Sequence, residues 1–221
     1  HATLGLQNCC CELRGEAAAK NIKLLRECEN AGPLLALHAE IGEGDVPKQA
    51  KAVLRTCGYT ESEWSDLLLS GWAVRYPEMA QLVHGLASSA QPAADLDRID
   101  RIMHADRDNA DLRKAFAAMG GFDAMLPQLD SEDVDVLKEA LSTAARALRY
   151  PPNRDVIRES GLLRKAIGLL AHKSRDVQHD AVFCVASSTQ RNSGNQSFVA
   201  EHGGIALFVE LLRVLQDSTY L

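Results

Sequence analysis

The stretch NRDVIRESGLLRKAIGLL (Asn153–Leu170) returns as NQSFVAEHGGIALFVELL (Asn195–Leu212). With Gly161 laid on Gly203 the two match at many offsets, and AMGGF around Gly120 joins them, so the three glycines stand 41 and 42 residues apart. Self-similarity at such a period marks a stacked helical repeat. Four residues before each glycine stand Phe116, Ile157 and Val199. Phe122, Leu163 and Ile205 follow two after it, Leu126, Ile167 and Val209 six after, and Leu129, Leu170 and Leu212 nine after. Apolar residues at those separations share one face of a helix.

Sixteen residues past the glycine a second apolar stripe begins. It runs Val136, Ala140, Leu141 and Ala144 in one unit and Val177, Ala181, Val182 and Val185 in the next. Small residues there let two helices approach closely. Each unit therefore reads as short helix, glycine turn, second helix, turn, third helix. Asn153 and Asn195, which lie in the turn segments RYPPNR and TQRNSGN, read as caps of the first helices. Pro127 falls inside one second helix and is expected to kink or shorten it.

At this point the chain resembles the armadillo family, firmly over about residues 109–215, on the two stretches quoted above. The resemblance implies an all-α fold: a right-handed α-α superhelix, or armadillo-type solenoid. It would have about three clear repeats preceded by about two degenerate helical units. Upstream, Gly32 and Gly71 extend the register loosely, with His38 at a position that wants an apolar residue. The organisation expected is a tail over 1–19, degenerate units over 20–91, a connection or insertion around Pro92 over 92–108, and repeats over 109–221, the last incomplete.

Composition agrees with helices packed on helices, at 46% hydrophobic but only 5% aromatic residues in 221. No apolar run approaches the ~18 residues of a membrane span. The N-terminus shows no secretory order, which points to an intracellular, cytoplasmic protein. Because the chain starts at His1, organellar import with a removed segment stays open. In this setting Cys28, Cys57 and Cys184 read as free core thiols. For Cys9, Cys10 and Cys11 three readings stand: a buried or partner-docked tail, acylation giving peripheral membrane anchoring, and metal or redox chemistry.

The histidines form no ligand-spaced cluster, and neither a phosphate loop nor a nucleophile elbow is present. The chain is read as not an enzyme, without cofactor or metal. Its net charge of −6 is uneven. Residues 95–139 hold twelve acids against six bases, and residues 149–191 eight bases against four acids. A net of +4 without interleaved aromatics argues against nucleic acid. Import receptors of the family carry a tryptophan and an asparagine on each third helix. EALSTAARALRY and HDAVFCVASSTQ lack both, so recognition of nuclear-import signals does not carry over.

The resemblance implies instead a scaffold or adaptor within a larger assembly, binding protein partners through the solenoid groove and the C-terminal end. A chaperone cofactor of the nucleotide-exchange type and a lipid-anchored adaptor are the alternatives. For the groove, Thr143, Arg146, Ala147 and Tyr150 superpose on Cys184, Ser187, Ser188 and Arg191. Arg146, Arg149, Tyr150 and Arg191 are the expected partner contacts. The final unit stops 18 residues after Gly203, so an apolar edge carrying Leu207, Leu211 and Val214 is expected to lie open.

Overall fold

The computed structural model describes residues 16–42, 44–105 and 109–218, and every regular element among them is helical. The chain divides into two compact units, residues 1–80 and 81–221.

The first unit contains α1 (Glu16–Glu27), α2 (Ala31–Ile41), α3 (Val46–Thr56) and α4 (Glu61–Arg75). Leu25, Leu35, Ala36, Ala39, Ala50, Val53, Leu54 and Cys57 form its core. Helix α4 starts at a capping box, in which the Thr60 amide donates to Glu63 Oε2 at 2.7 Å. The glycine register does not extend here. Gly32 and Gly71 lie inside α2 and α4, where a Cβ on Gly71 would meet Pro33 O at 2.4 Å and one on Gly32 the Tyr59 hydroxyl at 3.0 Å. These glycines permit close helix contact and make no turn. His38, out of place in that register, is exposed.

The second unit is a stack. After α5 (Pro77–Gly85), which straddles the division, come a 3₁₀ turn (Leu86–Ser88) and α6 (Pro92–Ala105). The residues expected as an extended connection over 92–108 thus form, as far as Ala105, a helix. Proline fits the first turn because no amide is needed there, and Leu96, Ile99 and Met103 at helical spacing are buried. Next come α7 (Ala110–Ala118), α8 (Gly121–Met125) with its 3₁₀ continuation Leu126–Asp130, and α9 (Val134–Ala147). The helix breaks at Met125, two residues before Pro127, whose ring and missing amide disfavour the α geometry. Then follow α10 (Asn153–Glu159), α11 (Leu162–Leu169) and α12 (Arg175–Thr189), and finally α13 (Ser193–Glu201) and α14 (Gly204–Ser218). Third helix packs on third helix: α9 lies between α6 and α12.

Gly120, Gly161 and Gly203 have φ of 79°, 83° and 77°. Each turns the first helix into the second through the left-handed region that L side chains avoid. Behind the turns the expected stripes are buried, including Phe116, Phe122, Ile157, Leu163, Ile167, Leu170, Val136, Ala140, Val177 and Ala181.

The two asparagines are not caps. Asn192 caps α13, its Oδ1 accepting from the Asn195 amide at 2.9 Å, and α10 has no side-chain cap. Asn195 is fully buried, and its Nδ2 donates to Arg154 O at 2.6 Å and Ser188 O at 2.9 Å while its Oδ1 accepts from Arg158 at 2.7 Å. Asn153 likewise donates to Arg113 O at 2.9 Å and Ala147 O at 3.0 Å. Each amide thus ties a first helix to the first helix of the preceding repeat and to the end of the third helix between them.

Candidate functional site

The third helices α6, α9 and α12 lie side by side, and between α9 and α12 a cleft of about 380 Å³ is lined by Ser142, Ala145, Arg146, Leu148, Arg149, Phe183, Ser187 and Gln190. Its volume is at the low end of ligand pockets. Its distinctive feature is Phe183, a large aromatic ring that is 60% exposed. Phe183 sits off the buried stripe because Val177, Ala181 and Val185 already occupy it. Across the cleft stand the exposed Arg149 and the half-buried Arg146.

The four expected contacts separate. Arg146 and Arg149 line the cleft. Arg146 also pairs with Asp100 on α6 and donates to His104 Nδ1 at 2.8 Å, so its guanidinium links adjacent third helices. Arg149 is engaged in no ion pair among the described residues. Half-buried Tyr150 and exposed Arg191 do not line the cleft; Arg191 turns the chain after α12 with φ of 52°. Of the positions superposed for the groove, Thr143, Ala147, Cys184 and Ser188 face inward and are buried. Thr143 donates to Leu96 O at 3.2 Å. Burial pushes the Cys184 thiol up to about 12, aided by nearby Asp180, so it is held as an unreactive thiol. Phe183 was missed. Its signal in HDAVFCVASSTQ is an aromatic at a position where the preceding repeat carries Ser142.

Charge is arranged across the helices as well as along the chain. Glu139 on α9 lies within the field of Asp97 and Asp100 on α6 and Asp180 on α12. Burial first, then these carboxylates, raise its carboxyl above the ordinary value against the opposing charge of Lys138. A row of carboxylates therefore crosses three third helices, with Arg146 and Arg149 nearer the C-terminal end of α9.

At the last repeat the open face differs from the one expected. Leu207 and Leu211 are half-buried and line a cleft of about 360 Å³ with Leu170–Lys173, Arg175, Gln178 and Glu210. In the preceding repeat the place of Leu207 is taken by Lys165, which reaches Leu126 O at 3.3 Å and pairs with Asp130. Leucine cannot span that seam. Among the described residues, the large exposed apolar side chains on α14 are Ile205, Val209 and Leu212. The side chain of Val214 lies outside the described residues, as do Cys9, Cys10 and Cys11.

Among the described residues no group of three or more His, Cys, Asp or Glu side chains could hold a metal ion, and no helix is long and apolar enough to cross a membrane.

No family model and no curated protein matches this chain. Solved structures do. Two crystal structures of engineered proteins align at 18% and 19% identity, each with a TM-score of 0.57 over 96% of this chain, and over 89% and 49% of their own. A designed armadillo repeat protein in complex with the peptide (KR)4 aligns at 18% identity and a TM-score of 0.56, over 95% of this chain and 90% of its own. The described residues form an armadillo-like, all-α repeat fold.

Proposed function

We propose that this protein is a non-enzymatic scaffold or adaptor, a subunit of a larger assembly, that holds a protein partner in the cleft between α9 and α12. Phe183 carries the reading: a solvent-exposed aromatic in a concave site flanked by Arg149 matches the residue types enriched at protein interfaces. The peptide complex of the designed armadillo neighbour supports protein as the class of ligand. Arg149 is assigned a direct contact. Arg146, tied to Asp100 and His104, positions the cleft wall.

Affinity purification of the native-source protein, wild type beside Phe183→Asp, tests this. A discrete stoichiometric partner is expected, its binding weakened by about 30-fold in Phe183→Asp, the effect of losing a hot spot of about 2 kcal/mol. Ser197→Asp on α13 is expected to leave it in place. A partner retained equally by both variants contradicts the assignment.

A further inference from the structure

We infer that the cleft between α9 and α12 selects a partner segment carrying one carboxylate side chain for Arg149 and, about 10 Å from it, an aromatic or large aliphatic side chain for Phe183. The inference rests on the cleft reading above and gives that cleft its ligand chemistry.

The two walls of the cleft are the same positions of the repeat, met twice. Ser142, Arg146 and Arg149 on one wall correspond to Phe183, Ser187 and Gln190 on the other, each pair 41 residues apart. Within a wall the spacings are four and three residues, so the three positions form a row along one side of a helix and the turn that follows it. Seven residues lead from Phe183 to Gln190 and from Ser142 to Arg149, a rise of ~10 Å. The aromatic ring therefore stands toward one end of the cleft and the Arg149 guanidinium toward the other.

None of the residues that line the cleft is acidic. Arg146 is already paired with Asp100. Arg149, exposed and in no ion pair among the described residues, supplies the uncompensated charge. Across from it Gln190 has its Oε1 occupied, accepting from Arg154 at 3.1 Å, which leaves the amide nitrogen as the free end and a donor. A guanidinium fork with an amide donor nearby matches a carboxylate. One turn before Ser142 and Phe183 the walls become acidic, at Glu139 and Asp180, which are again 41 residues apart and lie within each other's field. The cleft thus runs from carboxylates, past the Phe183 ring, to a guanidinium. A partner with a second acid on the far side of its apolar residue would set like charges against Glu139 and Asp180.

The probe is a set of labelled glycine-serine peptides, each with one tryptophan and one glutamate about two to five positions apart in either order, separations that bracket ~10 Å in an extended chain. They are titrated into the 221-residue chain and followed by fluorescence anisotropy. At least one is expected to bind saturably at or below about 1 mM. Glutamine in place of its glutamate weakens binding about five- to tenfold, and so does Arg149→Gln. On Arg149→Gln the glutamate and glutamine peptides bind alike, because each change removes the same pair. A peptide with glutamate on both sides of the tryptophan binds about two- to fivefold more weakly than the single-glutamate peptide, whereas simple attraction to a basic surface would tighten it. Arg149 and Phe183 are both exposed, so their variants keep the wild-type melting temperature.

Absence of saturable binding overturns the inference, and co-purification of a native partner then still tests the cleft reading by itself. Binding that is lost in Phe183→Asp but indifferent to the glutamate and to Arg149→Gln overturns the inference and leaves the cleft reading standing. Tighter binding of the two-glutamate peptide also overturns it. So does hydroxyl-radical footprinting of the isolated native-source protein in which Phe183 is already protected, because the chain itself then fills the cleft.

Discussion

Replacement of Asn195 by aspartate separates two roles that the sequence leaves fused. An aspartate caps a helix as well as an asparagine does, so a capping Asn195 would tolerate the change. The structure instead uses Asn195 Nδ2 as a double donor, to Arg154 O and Ser188 O, in a fully buried setting. A carboxylate has no hydrogen to give. Asn195→Asp turns both contacts from attractive to repulsive, retaining only the Arg158 contact. Each buried group left without its partner costs about 1–3 kcal/mol. Because each carbonyl has a second lone pair, the lower half of that range applies, and the expected loss is about 2–4 kcal/mol. For a chain of this length that lowers the melting temperature by about 5–15 °C. Asn192→Ala removes the true cap and is expected to cost about 1 kcal/mol. Urea unfolding of the wild type, Asn195→Asp and Asn192→Ala at one pH decides the matter. If Asn195→Asp lies within 0.5 kcal/mol of wild type, or above Asn192→Ala (~ the cap effect), the inter-repeat tie is refuted.

Three further outcomes are expected. Glu139 titrates above its ordinary 4.5 in the fold, so its charge opposes folding once the pH has risen through its folded value and costs nothing below 4.5. Glu139→Gln should therefore melt above wild type at pH 7, with the difference fading toward pH 4; a gain that persists at pH 4 contradicts the electrostatic cause. Peptide-resolved alkylation at pH 8 should label exposed Cys28 in the native protein and Cys184 only on unfolding, and equal native rates would contradict the burial that raises Cys184 to about 12. A Cβ meets nothing within 4 Å at either Gly161 or Gly168, so alanine there reports backbone conformation alone. With φ of 83° Gly161→Ala should lose about 1–2 kcal/mol, whereas helical Gly168→Ala should gain about 0.5–1 kcal/mol, both read from urea midpoints.

The repeat was legible because Gly120, Gly161 and Gly203 carry a backbone conformation that few other residues accept, and the apolar stripes follow from helical spacing. The asparagines misled because cap and tie demand the same side chain at nearly the same place, one residue into α10 and three into α13. Only the position of the preceding repeat distinguishes them. Gly32 and Gly71 misled because close packing and turning both select glycine. Pro92 reads in sequence as a break although it stands at a helix start. For the site, two arginines near the end of α9 were legible from their place in the third helix. The inward faces of Thr143, Ala147, Cys184 and Ser188 were not, since small and polar residues fit both a groove floor and a tight helix contact. Phe183 shows its role only through exposure, which periodicity suggests but packing decides. On α14 the equivalents Ile205, Val209 and Leu212 were already in register, yet the open edge was placed on Leu207 and Leu211, which face the seam that Lys165 fills one repeat earlier.

The central claim is that a protein partner occupies the cleft between α9 and α12. A photo-crosslinking amino acid placed at residue 183 in the protein in its native cells, with a matched probe at exposed Asp123 on α8, tests it most directly. One discrete crosslinked partner is expected from position 183, the same protein that co-purifies with the wild type and is lost with Phe183→Asp, and none from position 123. A co-purifying partner that crosslinks from position 123 and never from 183 would contradict it.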